Sequence, residues 1–216
     1  MQIQTRLKKI FIKLLDHFGP QAWWPAETPF EVMVGAILTQ NTNWRNVEKA
    51  IDNLKGAKGL GARGLEKINS RKLESLIRPS GYYRQKAKKL KAFVRFFLRA
   101  YHGSLRKMRR RQGNELRQQL LEVHGIGPET ADSILLYALD KLTFVVDAYT
   151  RRIGQRAGLF KSSDYHEIKD YFEQNLPRDL EMYKEYHALL VELGKNFCKT
   201  KPACEGCPIH GLCACN

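Results

Sequence analysis

The sequence predicts an all-α protein. Apolar residues recur every three or four positions along almost the whole chain, no long segment alternates apolar with polar residues, and no hairpin dipeptide joins two strand-like runs. With 216 residues, 43% of them hydrophobic, the chain can bury the core of one domain or of two small ones. No apolar run approaches the ~18 residues that a membrane span needs, so no membrane partner is expected. No internal repeat or low-complexity segment interrupts the pattern.

In chain order, Leu7, Ile10, Phe11, Leu14 and Leu15 form the apolar stripe of a first helix. Thr28, Pro29 and Glu31 mark the start of the next: a capping hydroxyl, then a proline where no N–H is needed. Val32, Val34, Ile37 and Leu38 continue its buried side, and Leu90, Phe93, Val94, Phe97 and Leu98 repeat the pattern further on. Residues 116–138 read LRQQLLEVHGIGPETADSILLYA. Leu116, Leu120 and Leu121 face one helix, His124 to Pro128 make a tight turn, and Ala131, Ile134, Leu135 and Ala138 fold a second helix back on the first. This is the outline of a helix-hairpin-helix. Gly125 and Gly127 let a phosphate approach the backbone while Ile126 anchors the turn, and the N–H groups that open the second helix point outward. Such contacts read the phosphate and not the base. An ordinary αα-hairpin with a glycine turn has the same outline. Thr143 to Val146 is β-branched but too short to identify as a strand. Asp147 follows it as the N-cap of a new helix, where the helix dipole keeps a carboxylate ionised and able to stabilise developing positive charge.

Charge adds a partner class. The 37 Lys and Arg against 22 Asp and Glu leave a formal +15, a surplus suited to polyanions, although a solvated basic surface would give the same count. Arg84, Lys86, Lys88, Lys89 and Lys91 form one cluster, and Arg106, Lys107, Arg109, Arg110 and Arg111 another, just ahead of the hairpin. Their position favours a DNA-facing surface.

All five cysteines lie in the tail. Cys198, Cys204, Cys207 and Cys213 fall within sixteen residues that hold two prolines and two glycines, and Cys215 follows. No signal peptide is evident, five is odd, and crowded thiolates need a cation, so coordination is expected over disulfides. One short pair flanked by single cysteines favours a [4Fe–4S] cluster, with zinc the alternative left open by spacing.

Taken together, the Gly-Ile-Gly hairpin, the following aspartate and the cysteine tail resemble the endonuclease III superfamily of helix-hairpin-helix DNA base-excision glycosylases over nearly the whole chain. Within it, AWWPAETPFEVMVGAILTQNTNW (22–44), RPSGYYRQKAKKL (78–90) and GIGPETADSILLYA (125–138) are similar to the bacterial 3-methyladenine DNA glycosylases. The resemblance implies two helical lobes flanking a DNA-binding groove. The first is a six-helix barrel over 22–135, with the hairpin at 116–138. The second is a cluster lobe made of the helix in 1–21 and of 136–216, with its iron-sulfur loop at 198–213. It implies a [4Fe–4S] cofactor held by Cys198, Cys204, Cys207 and Cys213, and leaves Cys215 without a role. It implies a monomer acting on double-stranded DNA that contains a damaged base, in the cytoplasm on the nucleoid. Trp23, Trp24, Pro25 and Trp44 match base-pocket positions. Gln40 and Tyr82 match positions that fill the space an extruded nucleotide leaves, and Gly125, Ile126, Gly127 and Thr130 match the DNA-binding hairpin.

The departures are informative. Bifunctional members carry a lysine where Glu129 stands, and a carboxylate forms no imine. Ala36 occupies the position of the catalytic glutamate of the adenine-mismatch branch. The cluster cysteines are absent from the best-known 3-methyladenine enzyme of this branch. The resemblance therefore implies a monofunctional glycosylase, with water as nucleophile and Asp147 as the essential carboxylate. Its substrate would be a 3-methyladenine-like base, whose positive charge gains on the order of 1–2 kcal/mol against indole faces. Adjacent tryptophans on a regular helix cannot both face inward, so Trp23 or Trp24 should line a surface or pocket. Endonuclease III-type action on oxidised or deaminated pyrimidines or on mismatches is the alternative activity. A non-enzymatic DNA-binding protein and a redox-responsive iron-sulfur regulator are the other classes the motifs allow.

Overall fold

The structure, a computed structural model, describes residues 3–214; Cys215 lies outside the described residues. The chain is helical, with no strand among the described residues, and Thr143–Val146 runs as buried chain without regular structure. In order the helices are α1 (Ile3–Phe18), α2 (Pro29–Leu38), α3 (Trp44–Gly56), α4 (Ala62–Lys67), α5 (Ser70–Leu76) and α6 (Tyr83–Tyr101). They continue as α7 (Leu105–Arg109), α8 (Gly113–Leu121), α9 (Pro128–Ser133), α10 (Ala148–Arg156), α11 (Tyr165–Asn175) and α12 (Leu180–Asn196). A 3₁₀ turn occupies Arg78–Ser80 and another His210–Leu212, and α9 runs on into a π-helical turn at Ile134–Ala138.

The chain forms two compact units, one of Trp24–Lys141 and one of Met1–Trp23 with Leu142–Asn216. In the first, α2 is the core helix: every residue from Phe30 to Leu38 is buried, the signature of a helix covered on all sides. It begins where the sequence requires, with the Thr28 hydroxyl accepting from the Glu31 N–H at 3.2 Å and Pro29 in the first turn. Helices α3, α6 and α9 pack around it. The α6 stripe supplies Leu90, Phe93, Val94 and Phe97, all essentially fully buried, and Phe30 stacks on Phe97 with ring centres 5.7 Å apart. Each such side chain contributes about 1.5–3 kcal/mol by leaving water.

In the second unit α12 is central, with α1 and α10 packed on it. Leu7, Ile10 and Leu14 of α1 are buried, and the Tyr186 hydroxyl donates to the Leu7 carbonyl at 3.0 Å. Gly194 makes the α10 contact possible: a Cβ there would lie 2.2 Å from the Tyr149 ring. Phe144 stacks on Phe172 of α11 at 4.3 Å.

Candidate functional site

Within the first unit the 116–138 segment is a helix-hairpin-helix. Leu116 and Leu120 of α8 and Ala131 of α9 are buried, Gly125 takes φ +82°, and the Ile126 N–H donates to the Val123 carbonyl at 3.0 Å. Ile126 is buried as the anchor, whereas Gly127 is exposed with open space where a Cβ would stand. Gly125 has no such room, because a Cβ there would come within 2.3 Å of the Lys89 side chain. The two helices are locked by an ion pair that the sequence reading missed: Arg117 Nε donates to Asp132 Oδ1 at 2.8 Å and Nη2 to Oδ2 at 3.1 Å, with Asp132 fully buried. Glu129 stands exposed in the first turn of α9.

Thr130 and Gln40 face inward. Gln40 Nε2 donates to the Gly125 carbonyl at 3.1 Å and to the Thr130 hydroxyl at 2.9 Å, while Lys89 Nζ donates to Gln40 Oε1. Gln40 is thus a strut between α2, α6 and the hairpin. Tyr82 differs: it is 70% exposed and sits at φ +45°, a strained conformation for a bulky residue.

The basic clusters are less DNA-facing than their positions suggested. Lys86 is buried, donating to the Leu38 carbonyl at 2.8 Å and the Ser80 carbonyl at 2.6 Å. Burial, with Lys89 nearby, lowers its pKa to about 8. Lys91 donates to the Leu65 carbonyl at 2.7 Å and the Glu66 carbonyl at 2.9 Å, capping the C-terminal end of α4. Arg109 donates to the Ala138 carbonyl at 2.9 Å and pairs with Asp140 at 3.0 Å. Arg84, Lys88, Arg106, Lys107, Arg110 and Arg111 remain exposed. Helix-end carbonyls compete with phosphates for the same cations, and only tertiary structure shows which win.

The aromatic positions separate. Trp24 lies in the first unit beside Trp44, ring centres 5.4 Å apart and edge-on, and beside Tyr137 at 5.6 Å. Gly35 provides the seat, since its missing Cβ would lie 3.1 Å from the Trp24 indole nitrogen. Trp44 is oriented by its indole N–H, which donates to Glu48 at 2.7 Å. Pro25 is exposed in the loop between. Tyr137 completes this aromatic group and was not singled out from sequence, because a tyrosine in an apolar helical run reads as core. Trp23 belongs to the second unit, its ring 5.1 Å from Lys195 Nζ. Neither tryptophan is in a helix, so the chain itself turns the two apart.

In the second unit Asp147 caps α10, its Oδ1 accepting from the Thr150 N–H at 2.7 Å. Its Oδ2 lies 3.8 Å from Nε2 of His187, a buried residue of α12 that the sequence did not single out.

The same unit holds the cysteine loop. Cys198, Cys204, Cys207 and Cys213 line one cavity of about 80 Å³, together with Ile153, Leu193, Phe197 and Ile209. Arginines pin the loop: Arg156 donates to the Lys199 carbonyl at 2.6 Å and reaches Cys198 Sγ at 3.5 Å, and Arg152 donates to the Cys198 carbonyl at 2.7 Å. Arg6 of α1 donates to the Leu212 carbonyl at 2.8 Å. Burial, with the three other thiols adding to it, pushes the Cys207 thiol up. Among the described residues no three Cys, His, Asp or Glu side chains are gathered as ligands of a single ion. The four thiols surround a space instead, which fits the donor set of a multi-iron cluster. No helix among the described residues is long and apolar enough to cross a membrane.

Comparison with known proteins gives these features a context. The sequence signature described as "HhH-GPD superfamily base excision DNA repair protein" matches residues 34–178. A Methanocaldococcus jannaschii protein provisionally named a DNA repair glycosylase is 52% identical over 95% of this chain and 94% of its own. Endonuclease III of Thermotoga maritima is 30% identical over 86% of this chain and 82% of its own. Among solved structures, H. pylori 3-methyladenine DNA glycosylase bound to 1,N6-ethenoadenine superposes with a TM-score of 0.78 at 30% identity, covering 90% of this chain and 98% of that one. A trapped endonuclease III–DNA covalent intermediate superposes with a TM-score of 0.85 at 21% identity, covering 100% of this chain and 97% of that one, a likeness of fold.

Proposed function

Since the chain belongs to the HhH-GPD superfamily of base excision DNA repair proteins, as a DNA repair glycosylase of the endonuclease III type, we propose that it is a monofunctional enzyme releasing alkylated, 3-methyladenine-like purines. The observation that carries the reading is a half-buried carboxylate at Asp147, fixed as the N-cap of α10, combined with a carboxylate, not an amine, exposed at Glu129. An acid at the second position cannot attack the sugar to form an imine, so water is the nucleophile.

The mechanism follows from the residues present. Outward N–H groups at Gly127 and the first turn of α9 bind a phosphate without reading sequence. The exposed ring of Tyr82 enters the space an extruded nucleotide leaves; Gln40 would have to break its contacts with Gly125, Thr130 and Lys89 to do so, and it serves to brace the hairpin. A cationic purine stacks on one indole face of the Trp24–Trp44 pair, whose rings stand nearly perpendicular, gaining on the order of 1–2 kcal/mol that a neutral base does not. The C1′–N bond then breaks with its electron pair leaving on the base, which neutralises the base and removes the need for a general acid. Asp147 stabilises the oxocarbenium-like sugar and accepts the proton of the attacking water. The H. pylori relative, bound to a modified adenine, supports the purine reading.

Cys198, Cys204, Cys207 and Cys213 would hold a [4Fe–4S] cluster. It would supply a structural, redox-capable centre, and no step of base release passes through it.

A panel of duplexes, each with one modified base, tests the reading under single turnover. Alkylated purines should be released to leave an intact abasic strand that breaks only on alkali, with no adduct trapped by borohydride. Asp147→Asn should slow release by on the order of 10²-fold or more while duplex affinity is kept. A robust borohydride adduct with the unaltered chain would overturn the monofunctional assignment. Release of oxidised pyrimidines instead would establish the second reading, which the Thermotoga maritima likeness favours.

A further inference from the structure

The two oxygens of Asp147 are held differently. Oδ1 is fixed by the Thr150 N–H at 2.7 Å, whereas Oδ2 lies 3.8 Å from Nε2 of His187, beyond direct hydrogen-bond reach. His187 is 5% exposed, on a helix packed against α10, so its ring has little freedom to turn away. Catalytic hydrogen bonds are often long in free enzymes and shorten around substrate. We propose that His187 is a positioning residue for Asp147: in the substrate complex its Nε2–H closes on Oδ2, so that both carboxylate oxygens are tied while the sugar becomes positive. The inference rests on the glycosylase reading of Asp147 given above.

The choice of side chain is explained by charge. A neutral donor orients the carboxylate and leaves its charge available to the sugar, whereas an ammonium or guanidinium in the same place would cancel it. Burial lowers the pKa of His187, and Asp147, the charged group facing it from the head of α10, raises it by less. The imidazole is therefore neutral at pH 7. On acidification it becomes a cation beside Asp147, so base release should fall as pH drops through a value below the ordinary histidine range of about 6.5.

His187→Leu and His187→Gln test this. Leucine fills the space without a donor, and base release under single turnover should slow by about 10- to 100-fold, with duplex affinity unchanged. Glutamine carries an N–H to a similar reach and does not titrate, so it should restore most of the rate and abolish the acid limb of the pH profile. An unchanged rate in the leucine variant, or the same acid limb in the glutamine variant, overturns the proposal. If the leucine variant does not fold, the glutamine pH profile alone decides. If the unaltered protein releases no base from any duplex, it is the glycosylase reading that fails, and the contact is judged by proton NMR titration of His187. Asp147→Asn should then lower the His187 pKa further, and no change would overturn the pairing.

Discussion

A lysine with 2% of its surface exposed must be hydrogen-bonded or neutral, and Lys86 is close to both. Its two carbonyl bonds tie the end of α2 to the turn that presents Tyr82, so one buried cation sets the spacing of two surface segments. Because its folded pKa lies near 8 against 10.5 in the unfolded chain, the native state sheds this proton first as pH rises. Between those values the unfolded chain binds more protons, so stability contributed by Lys86 is gained with rising pH and lost as pH falls through about 8. Lys86→Met should be less stable than the unaltered protein, by a margin that widens from about pH 8 upward in urea denaturation followed by circular dichroism. Lys86 also marks a limit of the sequence. A cluster of basic residues is visible in one line of text, but whether each meets a phosphate or a carbonyl depends on which helix end lies beside it. Asp147 as a cap could be read because capping is local; His187 could not, because its contact is made between helices and its own helix reads simply as core.

The hairpin is the element in which local sequence and tertiary packing agree best. Its turn, its anchor Ile126 and its two apolar faces were legible because each is decided within a few residues. The Arg117–Asp132 pair was not, since Asp132 looks like an ordinary polar residue until its complete burial is seen. The two glycines of the turn, alike in sequence, have opposite surroundings. Gly125→Ala meets both a left-handed backbone and the Lys89 side chain, and should cost about 2 kcal/mol or more of stability. Gly127→Ala meets open space at an ordinary φ of −93°, and should change stability by less than about 1 kcal/mol. Under the proposed reading a methyl group there obstructs a phosphate. Affinity for undamaged duplex should fall by about 10-fold for Gly127→Ala, measured by fluorescence anisotropy, with the salt slope unchanged because no charge is removed. Unaltered affinity would place the phosphate elsewhere.

At the scale of the molecule, the helical fold was legible because the three-to-four-residue period runs almost unbroken, and the gathering of four cysteines in one loop, where they line one cavity, was legible from their spacing for the same local reason. The arginines that fasten the loop were not foreseeable, since Arg6 comes from the opposite end of the sequence. Three guanidiniums on loop carbonyls hold the backbone from outside, and the proposed cluster would tie the four thiols that line the cavity. Cys207→Ser should therefore lower iron per chain and the melting temperature together, by several degrees, when metal analysis and calorimetry are run on the same preparations. Zinc without iron in the unaltered protein would contradict the cluster assignment.

The second unit is built from two segments that flank the first unit in the chain. The α1 stripe of Leu7, Ile10 and Leu14 waits for α12, and the partners Leu7 and Tyr186 are 179 residues apart. At a synthesis rate of about 5–20 residues per second, the ribosome needs on the order of ten seconds or more to deliver that partner. During that interval the inserted unit can fold while α1 stays an amphipathic segment without its α12 partner. The proposed cluster could be loaded only afterwards, once Cys213 has been made, so it would seal a unit whose two segments translation delivers far apart in time.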